Sequence, residues 1–115
     1  MSNSEQLEIF TETIEEATIL RPVGDIDLNG APALRQQLKQ AQAAGPSRVV
    51  VDLGEVPYMD SSGLATLVEA MQIARMNQGT LVICALQEKV RSIFEIARLD
   101  MVFKITNTRE EALTL

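Results

Sequence analysis

The order of apolar and polar positions along the chain predicts alternating strands and helices. Between Glu5 and Leu20, short polar runs interrupt the apolar positions, which predicts two strands in a hairpin-like pair, the second ending near Val23. Residues 48–53 and 80–86 are nearly continuous apolar runs, as expected for strands buried on both faces of a parallel sheet. A short last strand is predicted over residues 102–105.

Four other segments repeat apolar residues at the spacing of an amphipathic helix. In the first, Asn29 is predicted to cap the N-terminus; in the second, Gly79 is predicted to close the C-terminus. In the last, Thr108 and Glu111 have the spacing of a capping box. The helices are predicted over residues 31–44, 62–77, 87–98 and 108–115.

This order of elements, β-β-α-β-α-β-α-β-α, predicts an α/β fold with a mainly parallel sheet and one antiparallel edge strand. Right-handed crossovers between parallel strands would pack about four helices against the sheet. With 115 residues, the chain is expected to form a single domain over residues 1–115, of which residues 1–4 would be a flexible N-terminal tail.

An Asp-Ser-Ser-Gly sequence, residues 60–63, lies where the third strand leads into the second helix. A loop with Asp25 and Asp27 follows the second strand, and loops at the carboxyl ends of neighbouring parallel strands meet at one edge of a sheet. A helix N-terminus there would favour a phosphate group on a side chain. The same residue types are also preferred at any loop-to-helix junction, so a purely structural role stays open.

The amino-acid composition excludes several classes of function. The chain has no histidine, which excludes Ser-His-Asp and Cys-His catalysis, and we expect neither an enzyme nor a bound metal or cofactor. A net charge of −6 and only 3% aromatic residues argue against nucleic-acid binding. No apolar run approaches membrane-spanning length and no signal peptide is evident, which predicts a cytoplasmic protein without direct membrane insertion. One core accounts for all the apolar faces, which predicts a monomer.

Two further residues, Cys84 and Asp52, are of types that can carry out chemistry. Cys84, the single cysteine, lies in an apolar strand and is predicted to be a buried, unreactive thiol. Asp52 at a strand end, together with Lys104 on the last strand, loosely matches the phospho-accepting aspartate of receiver domains, which would make the protein dependent on magnesium. A strand-terminal acid without a chemical role is the competing interpretation.

Several motifs together resemble the STAS domain of bacterial anti-sigma factor antagonists. They are Gly-Asp-Ile-Asp at residues 24–27, Arg-Val-Val-Val-Asp-Leu at 48–53, Tyr-Met-Asp-Ser-Ser-Gly-Leu at 58–64, and Arg-Leu-Asp at 98–100 before Phe103. The similarity extends over about residues 5–115, and the Asp-Ser-Ser-Gly-Leu part is the most specific. One departure is Asp25, where the family more often has Glu.

The resemblance implies a protein that, when unphosphorylated, binds an anti-sigma factor that is also a serine kinase of the histidine-kinase-like ATPase type. Phosphorylation of Ser61 would release this partner, and a PP2C-type phosphatase would reverse the modification. Ser62 would mainly cap the helix, because a hydroxyl that accepts backbone hydrogen bonds is less free to react. The residues expected to contact the partner are Asp25, Asp27, Asp60, Ser62 and Gly63.

Two other roles occur within the same family resemblance. One is a scaffold in a stress-signalling assembly, and the other is a STAS subunit of a membrane transport system, in which the serine motif is often degraded. Both serines and Asp27 are intact in this chain, which favours the phosphorylation switch.

Overall fold

Five strands form one sheet in the computed structural model, which describes residues 6–115. The first two strands are antiparallel and every other neighbouring pair is parallel, with the strands in chain order across the sheet. This confirms the predicted mainly parallel sheet with an antiparallel edge; the predicted tail, residues 1–4, lies outside the described residues. The strands are β1 (Glu8–Ile14), β2 (Ala17–Val23), β3 (Arg48–Asp52), β4 (Thr80–Cys84) and β5 (Lys104–Thr106).

The four predicted helices are present, with shifts at their ends. They are α1 (Ala31–Ala43), α2 (Ser61–Met76), α3 (Glu88–Ile96) and α4 (Arg109–Thr114). The last strand begins two residues later than predicted, because a 3-10 turn over Leu99–Met101 precedes it. The capping box of Thr108 and Glu111 forms as expected. None of the helices within residues 6–115 is long and apolar enough to span a bilayer.

Two predicted caps are wrong. The N-cap of α1 is Gly30 rather than Asn29, and the Asp27 side chain instead accepts the backbone N–H groups of both residues. At the end of α2, the left-handed residue is Gln78 (φ 61°), while the N–H of Gly79 donates to the carbonyl of Ala74. This is the hydrogen bond of a Schellman ending, formed without glycine at the left-handed position.

Alternation along the parallel strands divides the core between the two faces of the sheet. Leu20, Val51 and Ile83 are in register and belong to the larger cluster, which also contains apolar residues of α1, α2 and α3. Their chain neighbours Ile19, Val50 and Val82 point to the opposite face, where Ala112 of α4 covers them.

The distribution of helices follows from the strand order. Since β2 to β5 advance in one direction across the sheet, three right-handed crossovers place α1, α2 and α3 on the same face. Both faces are covered, as expected, and among the residues that the structure describes the helical cover of the second face is the six-residue α4. Two arginines fasten this short helix: Arg109 at its start binds Asp52 and Glu12, and Arg48 donates to the carbonyls of Leu113 and Leu115.

Candidate functional site

The two loops with candidate site residues are joined by backbone pairing. The N–H of Ile26 donates to the carbonyl of Tyr58 at 3.0 Å, and the N–H of Asp60 donates to the carbonyl of Ile26 at 3.1 Å. Ile26 and Met59 form a parallel bridge beyond the ends of β2 and β3, and both are fully buried. This confirms that the loop of Asp25 and Asp27 lies beside the Asp-Ser-Ser-Gly turn.

Gly63 allows α2 to begin directly against this bridge. A Cβ atom at this position would lie 2.6 Å from Cγ of Met59 and 2.9 Å from Cγ2 of Ile26. Contacts below 3 Å are not tolerated without movement, so the close approach requires glycine. Gly63 is buried, and its place in the site is therefore to position the two loops.

Asp60, rather than Ser62, is the N-cap of α2. Its backbone is extended, and Oδ1 accepts the N–H of Ser62 at 2.9 Å and, more weakly, that of Gly63 at 3.4 Å. The hydroxyl of Ser62 donates to the same oxygen at 2.5 Å. The prediction that Ser62 caps the helix is wrong, because aspartate caps at least as well and lies one residue before the helix, where the extended backbone of a cap is possible.

The charge of Asp60 is stabilised by these contacts. The hydrogen bond from the Ser62 hydroxyl lowers the pKa of the Asp60 carboxyl below its ordinary value of 3.8, partial burial opposes this, and backbone N–H groups of the helix start reinforce it. Asp60 is therefore a carboxylate at neutral pH, and its negative charge lies at the positive end of α2.

Ser61 is the first residue of α2 and its side chain is exposed. No other group within residues 6–115 forms a hydrogen bond with its hydroxyl, in contrast to the hydroxyl of Ser62, which is held by Asp60. The cap at Asp60 therefore distinguishes the two serines. The hydroxyl of Ser62 is hydrogen-bonded within the helix start, whereas that of Ser61 is exposed.

Asp27 shapes the neighbouring loop. Its carboxylate accepts the N–H groups of Asn29 at 3.0 Å and Gly30 at 3.1 Å, and its backbone carbonyl accepts that of Ala31 at 2.8 Å. The side chain is half-buried, whereas Asp25 is exposed. Asp27 thus builds the entry to α1, a structural role that spacing alone did not indicate.

Asp52 belongs to a different face of the molecule. Its carboxylate binds the guanidinium of Arg109 at 3.1 Å and the N–H of Gly54 at 3.0 Å. Lys104 is in register with Val82, not with Asp52, so the lysine and acid of a receiver domain are not brought together. Within residues 6–115, no three acidic or cysteine side chains are grouped closely enough to hold a metal ion.

Cys84 is fully buried at the end of β4, as predicted. Burial, reinforced by the nearby carboxylate of Asp52, raises the pKa of this thiol to about 12. The thiolate is therefore scarce at neutral pH, and the residue behaves as part of the core.

An open groove of about 770 Å³ runs beside the serine turn, between α1 and the first turns of α2. No sequence pattern predicts it, because it results from how two helices lie next to each other. Ser62 lies at one end, and Leu28, Pro32 and Ala65 are among the residues that line it.

Comparison with known proteins shows that this chain is similar to members of one protein family. The STAS domain family model matches residues 8–112. The anti-sigma-B factor antagonist of Listeria monocytogenes is 35% identical over 88 residues, which cover 76% of this chain and 77% of that protein. An anti-sigma factor antagonist of Mycobacterium paratuberculosis has a solved structure with a TM-score of 0.89 at 26% identity, covering 99% of this chain and 97% of the other.

The Bacillus anti-sigma factor antagonist SpoIIAA has the same fold in two solved states. Its unphosphorylated form gives a TM-score of 0.71 at 18% identity, covering 90% of this chain and 92% of the other. Its phosphorylated form gives 0.72 at 20% identity, covering 93% and 97%. The family model, the sequence relatives and the five-stranded fold agree, and the chain belongs to the STAS domain family.

Proposed function

We propose that this protein is an anti-sigma factor antagonist whose partner binding is switched off by phosphorylation of Ser61. The observation that carries the proposal is the different state of the two serines: the Ser62 hydroxyl is bound to the Asp60 cap, and the Ser61 hydroxyl is exposed at the start of a 16-residue helix. An exposed hydroxyl is what a protein kinase requires of its substrate.

The partner would be an anti-sigma factor that is itself a serine kinase of the histidine-kinase-like ATPase type. The names of the relatives support an anti-sigma factor as the target. The protein would need no catalysis of its own, since the kinase transfers the phosphoryl group and a PP2C-type phosphatase removes it. Such a protein would act in the cytoplasm, where sigma factors bind RNA polymerase.

Electrostatics explain how the modification would release the partner. A phosphate adds roughly −1.5 to −2 charges at neutral pH. On Ser61 it would stand beside the carboxylates of Asp25, Asp27 and Asp60, and the helix N-terminus would offset part of the repulsion. The fold should survive while the surface changes sharply in charge; the similar fit of the two SpoIIAA forms to this chain supports that expectation.

The test is a pull-down from extract of the native cells with wild type, Ser61→Ala and Ser61→Asp as baits. Ser92→Asp is the matched control, because Ser92 is an exposed serine on α3 and receives the same charge. An ATPase-kinase should bind wild type, Ser61→Ala and Ser92→Asp and be lost with Ser61→Asp.

Other outcomes would point to the alternative family roles. A transporter subunit or a scaffold that all four baits retain would contradict the switch and reduce the Asp-Ser-Ser turn to a helix start. Phosphate found on Ser62 after incubation with the kinase and ATP would overturn the assignment of Ser61.

A further inference from the structure

The groove between α1 and α2 has a distinctive lining, and we call it the α1–α2 groove. Small and apolar side chains form much of its surface, and two glutamines and two long basic side chains of α1 also line it. Its volume of about 770 Å³ lies within the range that is typical of ligand-binding clefts. The residues that matter for its character are Leu28, Pro32, Arg35, Lys39, Ala43 and Ala65.

The charge of the groove is opposite to that of the chain. The whole protein carries net −6, yet the 13 residues of α1 include Arg35 and Lys39 and no acid. Arg35 is paired across the helices with Glu69, at 2.6 Å. Lys39, one turn further along, has no carboxylate within 4.0 Å in the part of the chain that the structure describes, although its charge adds to that of Arg35 in lowering the pKa of Glu69. Its ammonium is available to an acidic partner.

The groove is continuous with the candidate switch. Ser62 lines its upper end, and Ser61 is the adjoining residue at the start of the same helix. Leu28, another residue of the lining, is 75% exposed, so its side chain is accessible to a ligand. A ligand in the groove would cover Leu28 and would end next to the phosphoacceptor.

We infer that the α1–α2 groove receives an amphipathic helix of the anti-sigma factor, with aliphatic side chains toward Leu28 and Ala65 and a carboxylate toward Lys39. This assignment rests on the proposed function and adds the location and chemistry of the contact. A helix fits because α1 offers a straight edge of 13 residues, about 20 Å, which matches three to four turns of a docked helix.

The geometry also links docking to the switch. A phosphate on Ser61 would stand at the mouth of the groove, where it would repel the carboxylates of an acidic helix. The carboxylates of Asp25, Asp27 and Asp60 lie near this end in both states, and dephosphorylation would remove only the added charge, which leaves Lys39 and the apolar lining to hold the helix. Release would then follow from electrostatics at the groove, without a change in the fold of this chain.

The experiment measures binding of the purified ATPase-kinase that wild type captures from extract, by titration calorimetry. Ala65→Arg obstructs the groove at an exposed helix position, where arginine is well tolerated by the backbone. Lys39→Glu reverses the free charge, and Lys89→Glu makes the same change on α3, outside the groove. We expect each groove variant to weaken binding at least about tenfold and the control to stay within about twofold.

A photo-crosslinker placed at position 65 then identifies the docked segment. The expected product is a helix with acidic residues, and changing its acid to lysine should restore binding to Lys39→Glu. Unchanged affinity of both groove variants, with binding still abolished by Ser61→Asp, would overturn the groove assignment alone. If wild type binds no kinase of this type, the proposed function fails, and the groove assignment fails with it.

Discussion

Gly63→Ala tests whether the junction between the two site loops depends on a missing side chain. The added methyl carbon would lie 2.6 Å from Met59 Cγ, 2.9 Å from Ile26 Cγ2 and 3.1 Å from the carbonyl oxygen of Ile26. Both side chains are fully buried, so neither can move into solvent. The carbonyl of Ile26 also accepts the N–H of Asp60, which means that displacing it strains the hydrogen bond joining the loops.

Two opposing effects set the magnitude. Replacing glycine by alanine within a helix stabilises it by at most about 1 kcal/mol. Overpacking of a tightly filled site costs about 1–3 kcal/mol, and two contacts below 3 Å place this site in the upper part of that range. The expected net loss in the free energy of unfolding is therefore about 1–2 kcal/mol. For a domain of this size, each kcal/mol lost lowers Tm by roughly 3–6 °C.

Urea unfolding followed by circular dichroism measures this difference, and Gly79→Ala is the matched control. At Gly79 the nearest atom to an added Cβ is 3.8 Å away and φ is not left-handed, so this variant should stay within about 0.5 kcal/mol of wild type. Gly63→Ala should also bind the anti-sigma factor less tightly, because the loops move apart. A Gly63→Ala protein as stable as wild type would show that the junction of the two loops tolerates a side chain at this position.

Three further predictions concern charged residues. Asp60→Asn keeps a capping group but loses a negative charge that stabilises a helix start by about 0.3–1 kcal/mol. Because the pKa of Asp60 is lower in the folded chain than its ordinary value of 3.8, wild type should have its full stability advantage above pH 3.8 and lose it as the pH falls through the folded-state pKa. A difference in the free energy of unfolding that stays constant from pH 7 to pH 3 would contradict this prediction. Arg109→Ala should destabilise the fold by about 1–3 kcal/mol in urea unfolding, since it leaves the 15% exposed Asp52 without its ion-pair partner. Arg35→Ala breaks an exposed ion pair and should cost clearly less, so equal losses in the two variants would be inconsistent with the different burial of the two pairs. Asp27→Asn retains the acceptor that builds the turn, so it should keep the melting curve while slowing phosphorylation of the chain by the kinase, and unchanged phosphorylation would remove the Asp27 charge from the site.

The fold could be predicted from the sequence where the spacing of apolar residues and the length of the segment indicated the same type of element. The continuous runs around Val50 and Val82 predicted buried parallel strands, and the order of elements then left few topologies. The adjacency of the Asp27 loop and the serine turn could also be predicted, because both follow strands that end at the same edge of the sheet.

The errors lie where several residues compete for one local role. Asn29, Asp27 and Gly30 are all suited to a loop before a helix, and only the backbone path selects the side chain that accepts the N–H groups. The same competition at the serine turn was decided in favour of Asp60 over Ser62. Contacts between residues distant in sequence could not be predicted for another reason. Nothing near Asp52 indicates that Arg109, 57 positions later, will bind it.

We expect a phosphate on Ser61 to separate this protein from its anti-sigma factor. The most direct measurement phosphorylates the purified chain with the captured kinase and ATP, maps the phosphate by mass spectrometry, and titrates the kinase with both forms. We expect phosphate on Ser61 alone and a loss of affinity of at least about 100-fold, roughly 2.7 kcal/mol. Equal affinity of the two forms, or phosphate on Ser62, would mean that Ser61 is not the switch.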